Sequence, residues 1–370
     1  MKIRVLHIID HLGYGGAQIA VKNIVEKINS EHIETFVCML RTNTNTIPIQ
    51  TKLINLAYHK YNPFAFLAIA RLCKEYKIDI IQAHLQKSVM LCLLAGFLCN
   101  TKIIIHEHGP IFRRGTGFIY RLFLRAFGSK ATMAIANSHT TKTAMVRKAG
   151  FNEESIQVVS NFIDFTRFDR NLYDRDKARE LLGIAQDNIV VGFVGRLDHC
   201  KGVDLLIETA AIFCKESERY CFVIVGEGSQ RQELERLVHQ LGLKKKVIFT
   251  GLYKNPAEIM IAFDVGVIPS RREAFGITAI ELMYMKIPVV ASPVGGLVEH
   301  VRHRETGILL SQLDAREIVQ AILTLRKEEA LCQNIIKNAQ NYTQRFNGFE
   351  QIEQIKRTYN MVGAGRNFSS

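Results

Sequence analysis

Short runs of apolar, β-branched residues alternate along this chain with helix-length segments whose apolar positions recur every three or four residues. In the first half the runs read RVLHIID, TFVCML, DIIQAHL, KIIIHEHG and TMAIANS; in the second, IVVGFVG, CFVIVGEG, KVIFTGLY, DVGVIPS and IPVVASPVGG. Strands that are apolar on both faces and separated by helices predict parallel sheets covered on both sides. The rhythm breaks at the polar stretch DRNLYDRDKARELLGIAQD and restarts as if from a first strand, which puts a domain junction near residues 165–185. The expected fold is α/β: two doubly wound Rossmann-like domains facing a cleft, residues 1–170 and 171–345, with a C-terminal helix in 346–370 crossing back to the first.

Composition adds bounds. At 370 residues and 48% apolar the chain can fill two cores, and no tract of low complexity or fixed-period repeat interrupts it. The eight cysteines are scattered without a C-x-x-C pair, so reduced thiols in a cytosol are expected. The start MKIRVLHIID interleaves charge with a strand-like run, and the longest uncharged stretch lies between Lys87 and Lys102; neither a secretory leader nor a membrane span is expected. Charge is uneven: residues 1–166 hold 20 Lys and Arg against 10 Asp and Glu, the rest 28 against 25. The first half therefore carries the positive field, which suits nucleic acid, anionic headgroups or acidic small molecules alike.

Glycines and charges at strand ends carry the candidate chemistry. HLGYGGAQIAVKNIVEKI follows the first strand, so Gly13, Gly15 and Gly16 either admit a ligand to a helix N-terminus or make a tight strand-to-helix turn. The spacing is not G-x-G-x-x-G, and the second strand closes on Arg41 rather than on an acid, against a dinucleotide fold. In GFVGRLDHCKGVDLLIE, Arg196 lies just past a strand and Lys201 at a helix start, where two cations can converge on a pyrophosphate; isolated solvated cations are the alternative. In EAFGITAIE, Glu273 precedes a helix that opens at Gly276 and is expected to run until Pro288, and Glu281 sits on its first turns. Both carboxylates can reach one wall and accept from neighbouring hydroxyls, or Glu273 is a capping acid and Glu281 a solvent-facing one.

These stretches resemble the retaining glycosyltransferases of the GT-B fold, family four. The E-x7-E pattern of that family is matched by Glu273 and Glu281 within PSRREAFGITAIELMYMKIPVVASPVGGLVEHV, and the likeness extends to GRLDHCKG, VGEGSQRQEL, FTGLY and TGILL, more loosely in the first domain. The resemblance implies a metal-independent hexosyltransferase with no cofactor. It implies Arg196 and Lys201 on the donor diphosphate, Glu281 on the ribose, and Glu273 with the backbone of Phe275, Gly276 and Ile277 on the transferred sugar. It further implies Gly15 and Gly16 facing the diphosphate, the base held near Gly251, and His108 contacting the donor sugar. The donor is expected to be a UDP-sugar, with GDP open.

Two histidines, His106 and His108, share one face of a strand end; as a metal site they lack further ligands, and His84 reads as packed. No Asp-x-Asp metal motif is expected anywhere in the chain, so the leaving group is expected to be met by Arg196, Lys201 and helix termini. The segment FRRGTGFIYRLFLRAFGSK combines Arg113, Arg114, Arg121 and Arg125 with apolar residues, either a membrane-interface helix or a core-packed one with arginines at its rim. The expected partner beyond the donor is a lipid-linked glycan of bacterial surface polysaccharide or glycolipid synthesis, at the cytoplasmic face of the plasma membrane. A GT-B-fold epimerase and a basic nucleic-acid-binding protein are the alternatives.

Overall fold

The computed structural model describes residues 2–13, 15–42, 46–58, 62–109 and 116–364. The chain forms two compact units, one of Met1–Ile163 with Gly348–Ser370, the other of Asp164–Asn347.

The first unit holds strands β1 (Ile3–Ile9), β2 (Ile33–Met39), β3 (Lys52–Asn55), β4 (Ile80–His84), β5 (Lys102–Glu107), β6 (Met133–Ala136) and β7 (Ile156–Val158) in one parallel sheet, order β3-β2-β1-β4-β5-β6-β7. Alternate side chains feed two cores, as strand geometry requires. Leu6, Ile8, Ile81, Ile103 and Ile105 pack under Ile69, Leu91, Tyr120 and Leu124 of the helices on one face. Val5, Ile80, Ile104 and Ile135 pack on the other face under Ile24 and Ile28 and under Ile352, Ile355, Tyr359 and Val362 of the C-terminal helix Phe349–Gly363.

The second unit repeats the plan with β8 (Ile189–Val194), β9 (Tyr220–Val225), β10 (Val247–Gly251), β11 (Val265–Ile268), β12 (Val289–Ala291) and β13 (Ile308–Leu309), order β10-β9-β8-β11-β12-β13, all parallel. Three short strands, β3, β7 and β13, escape the hydrophobic pattern because they are edge strands of two to four residues. The helix opened by Gly276 spans Ile277–Tyr284 and stops short of Pro288; Lys286, in the left-handed region at φ 60°, ends it before the proline can.

In both sheets the strand order reverses beside the first strand: β1 leads out to β2 on one side and has β4 on the other, and β8 stands likewise between β9 and β11. Loops at the carboxyl ends of such neighbouring strands are where doubly wound sheets take ligands.

Candidate functional site

In the second unit the loops after β8 and β11 meet at that reversal point. The β8 loop runs from Gly195 through a 3-10 turn, His199–Lys201, to Gly202, whose positive φ of 67° starts the Val203–Glu216 helix. A Cβ at Gly202 would overlap the Pro269 carbonyl of the β11 loop, so only glycine lets the loops come this close. Cross-links finish the seam. The backbone N–H groups of Arg271 and Arg272 donate to the Cys200 carbonyl, and the Arg271 guanidinium grips Asp204 bidentately at 2.7 and 2.5 Å.

This seam brings Lys201 to Glu273. Its Nζ lies 2.6 Å from Oε2, with both side chains largely buried, and the Ser270 hydroxyl donates to the same oxygen at 3.4 Å. The Glu273 carboxylate is therefore held by a cation and a hydroxyl, and the cap position of the Ile277–Tyr284 helix is taken by Gly276. Arg196 stays 57% exposed and pairs with Asp198 at 2.8 Å. Phe275 is buried with its ring edge-on to His300 and Phe346, which fixes the backbone between the two glutamates. Glu281 does not face solvent: it is 9% exposed, and burial pushes its carboxyl up to about 7, with Arg167 acting in the opposite direction. In β10, Gly251 takes φ 79° and accepts from Gly226 N–H at 2.8 Å.

Against the expectation of none, the chain carries one literal Asp-x-Asp, Asp174-Arg175-Asp176, and helix capping accounts for it. The Asp174 carboxylate accepts from the backbone N–H groups of Asp176 and Lys177 at the head of the Arg175–Leu181 helix.

In the first unit Gly15 caps the Gly16–Ile28 helix in extended backbone, φ 178°, so the glycine is not required there by conformation. His108 follows β5 and is buried; its carbonyl accepts from Asn137 at 3.3 Å, and its ring stacks on His106 with centroids 4.1 Å apart. The expectation of two isolated histidines fails. β4 brings His84 alongside, so that ligand nitrogens of His84, His106 and His108 lie within 4.8 Å of one another, and His7 of β1 stacks on His84. Strand pairing makes the cluster, since His84 is in register with His106. His7, Arg271, Asp204 and Arg167 were not legible as site residues, because each gains its meaning from a partner distant in the chain.

The helix Thr116–Phe127 carries Arg121 and exposed Arg125; Arg113 and Arg114 lie outside the described residues. Tyr120 and Leu124 turn into the core while Phe118, Ile119 and Leu122 stay exposed, as do Phe97 and Leu98. Arg121 covers the Phe118 ring at 4.9 Å and Lys130 the Phe97 ring at 4.4 Å. Among the described residues no helix is long and apolar enough to cross a membrane.

Comparison with known proteins agrees with this architecture. Residues 14–167 match the family described as Glycosyltransferase Family 4, and residues 174–342 that described as Glycosyl transferases group 1. An uncharacterized glycosyltransferase of Methanocaldococcus jannaschii is 35% identical over 50% of this chain, a match spanning about half (49%) of that protein's length. A UDP-Gal:alpha-D-GlcNAc-diphosphoundecaprenol alpha-1,3-galactosyltransferase of Escherichia coli is 25% identical over 80% of this chain and 78% of its own. Anabaena HepE, solved in complex with UDP-glucose, superposes with a TM-score of 0.81 at 24% identity, covering 97% of this chain and 99% of its own. Neither the epimerase nor the nucleic-acid reading gains support from these matches. With both halves matched and two Rossmann-like units in place, the chain belongs to the group 1 glycosyltransferases of family four and has the GT-B fold.

Proposed function

We propose that this enzyme moves a hexose from a nucleotide-diphosphate sugar, a UDP-sugar in preference to a GDP-sugar, to a hydroxyl of a lipid-linked glycan, retaining the anomeric configuration and using no divalent metal. The observation that carries the reading is the pairing of Lys201 with Glu273 at the reversal point of the second sheet, beside Arg196 and the buried Glu281. Lys201 and Glu273 neutralise each other. A donor entering between them exchanges that pair for two: diphosphate oxygens against Lys201 and Arg196, and sugar hydroxyls against Glu273. Negative charge grows on the diphosphate as the glycosidic bond breaks, so the cations bind the transition state better than the ground state. Glu281 takes the ribose diol, the backbone from Phe275 to Ile277 the sugar, Gly251 the base region, and His108 with Gly15 and Gly16 the donor from the first unit. The acceptor hydroxyl attacks on the face from which the diphosphate leaves.

The named donor of the E. coli relative and the UDP-glucose complex of HepE support the donor class, and the relative's diphosphoundecaprenol acceptor supports a lipid-linked one. The exposed Phe118, Ile119 and Leu122 on a basic unit support docking on an anionic leaflet at the cytoplasmic face, in surface polysaccharide or glycolipid synthesis. A thermal-shift panel of sugar nucleotides tests the donor. A ligand at a hundred times its Kd stabilises by about 2.7 kcal/mol, so one UDP-sugar should raise Tm clearly above the others, and a flat panel would remove the reading.

A further inference from the structure

Three strands of the first sheet change character in step. On the face covered by the C-terminal helix, Val5, Ile80 and Ile104 belong to the apolar core. Two residues on come His7, Gln82 and His106, and beyond Gln82 and His106 come His84 and His108, all returning to that face and all buried. Tyr359 reaches them from the Phe349–Gly363 helix and is itself fully buried.

Hydrogen bonds join these six into one chain. Gln82 Nε2 lies 2.7 Å from His106 Nδ1, and the Tyr359 hydroxyl donates to Gln82 Oε1. His7 Nε2 lies 3.4 Å from the Tyr359 oxygen, His7 Nδ1 3.0 Å from His84 Nε2, and His84 Nδ1 2.8 Å from His108 Nε2. Burial keeps every ring neutral: His7 and His108 are drawn down to about 3, and His84 and His106 well below the usual histidine value. A neutral imidazole has one N–H and one acceptor, so the partners settle each tautomer in turn. The single hydrogen of Tyr359 goes to Gln82, hence its oxygen accepts from His7 Nε2–H. His7 Nδ1 then accepts from His84 Nε2–H, and His84 Nδ1 from His108 Nε2–H. What remains is the lone pair on His108 Nδ1, a buried atom with no hydrogen-bond partner among the described residues; at the other end His106 Nε2–H likewise has none among them.

We propose that Tyr359, Gln82, His7 and His84 are positioning residues that lock the proton of His108 on Nε2, making its Nδ1 an obligate acceptor for one hydroxyl of the transferred sugar. This rests on the reading of His108 as a donor-side group. Metal ligation by His84, His106 and His108 is the competing use of the same nitrogens, but both nitrogens of His84 are engaged in the chain. A wrong histidine tautomer is costly where the ring must accept a proton or a hydrogen bond.

The test is long-range ¹H–¹⁵N correlation of the histidine rings in the full-length protein, with Tyr359→Phe as the variant. Wild type should show His108 as a single Nε2–H tautomer. Tyr359→Phe keeps the ring but removes the hydroxyl between Gln82 and His7; it should give mixed tautomers and lower kcat about tenfold or more, the range seen when an orienting partner is lost, with a smaller change in donor KM. Should that variant misfold, Gln82→Met interrupts the same link. If His108→Ala transfers sugar at the wild-type rate, the donor-side reading itself fails. If His108→Ala is impaired while Tyr359→Phe keeps one tautomer and full kcat, only the present proposal fails. Stoichiometric zinc uptake that is lost in His84→Ala would also overturn it, because a ligating His84 must leave the chain.

Discussion

Lys201 and Glu273 stand 72 residues apart in the chain and 2.6 Å apart in space, one closing the loop after β8 and the other the loop after β11. Their charges are coupled, so their effects should not add. Lys201→Ala should lower kcat by roughly 2.7 kcal/mol or more in barrier, the loss typical of removing a preorganised group that meets developing charge. In a double-mutant cycle with Glu273→Ala the coupling should lie in the range of about 0.5–3 kcal/mol for contacting residues. Strict additivity in kcat would show that the two side chains act on separate steps.

Arg196 and Glu281 should separate by kinetic constant. Arg196 is exposed and held only by Asp198 at 2.8 Å, a pair that the leaving group can displace, so Arg196→Ala should depress kcat; Glu281 is buried within the Ile277–Tyr284 helix, so Glu281→Ala should chiefly raise donor KM. Steady-state rates over a range of donor concentrations decide it, and Arg196→Ala with unaltered turnover would refute the phosphate site.

Glu281 also predicts a pH dependence of stability. Its folded carboxyl, at about 7, lies above the ordinary value of 4.5, so between those values the folded protein holds a proton that the unfolded chain releases. Stability therefore falls as pH rises through that window, by about 3 kcal/mol for this group. Glu281→Gln should flatten the fall and melt higher than wild type near pH 8 while losing donor affinity. Part of the slope will survive, because burial raises Glu107 to about 7 as well. A variant with an unchanged pH–Tm profile would mean the carboxyl is charged at neutrality.

Chelation gives a fourth check. With Arg196 and Lys201 assigned to the diphosphate, EDTA should leave the transfer rate nearly unchanged. Activity that vanished on chelation and returned with manganese or magnesium would transfer the electrostatic role to an ion.

Liposome co-sedimentation tests the docking face. Binding should need anionic lipid, weaken with salt, and fall when Phe118, Ile119 and Leu122 become serine or Arg125 becomes glutamate, since each basic residue near such a surface adds about 1 kcal/mol. Equal partition onto neutral vesicles would assign the binding to apolar contact alone.

The candidate site of the second unit was the more legible in sequence because its charges sit at strand ends: Arg196, Lys201 and Glu273 all lie just past β8 or β11. Burial was harder to read. Glu281 looks like any acid on a helix until the fold is seen to bury it, and the Asp-x-Asp at 174–176 shows its capping role only through backbone N–H groups. The histidine chain was out of reach, since its keystone Tyr359 lies 277 residues from Gln82 and 352 from His7. Periodicity reports which face a residue occupies, not which distant helix will cover it.

The close approach at Gly202 has a counterpart at Gly295, φ 54°, where a Cβ would overlap the carbonyl of Glu273. Backbone presses on the β11 loop from both flanks, at Pro269 and at Glu273. Room for change is thereby channelled: insertions or bulkier residues at these two glycines break the loop before they can reshape it. Diversification is left to side chains projecting from a frozen main-chain rail, and a library aimed at altered sugar choice should spare both glycines and randomise their neighbours.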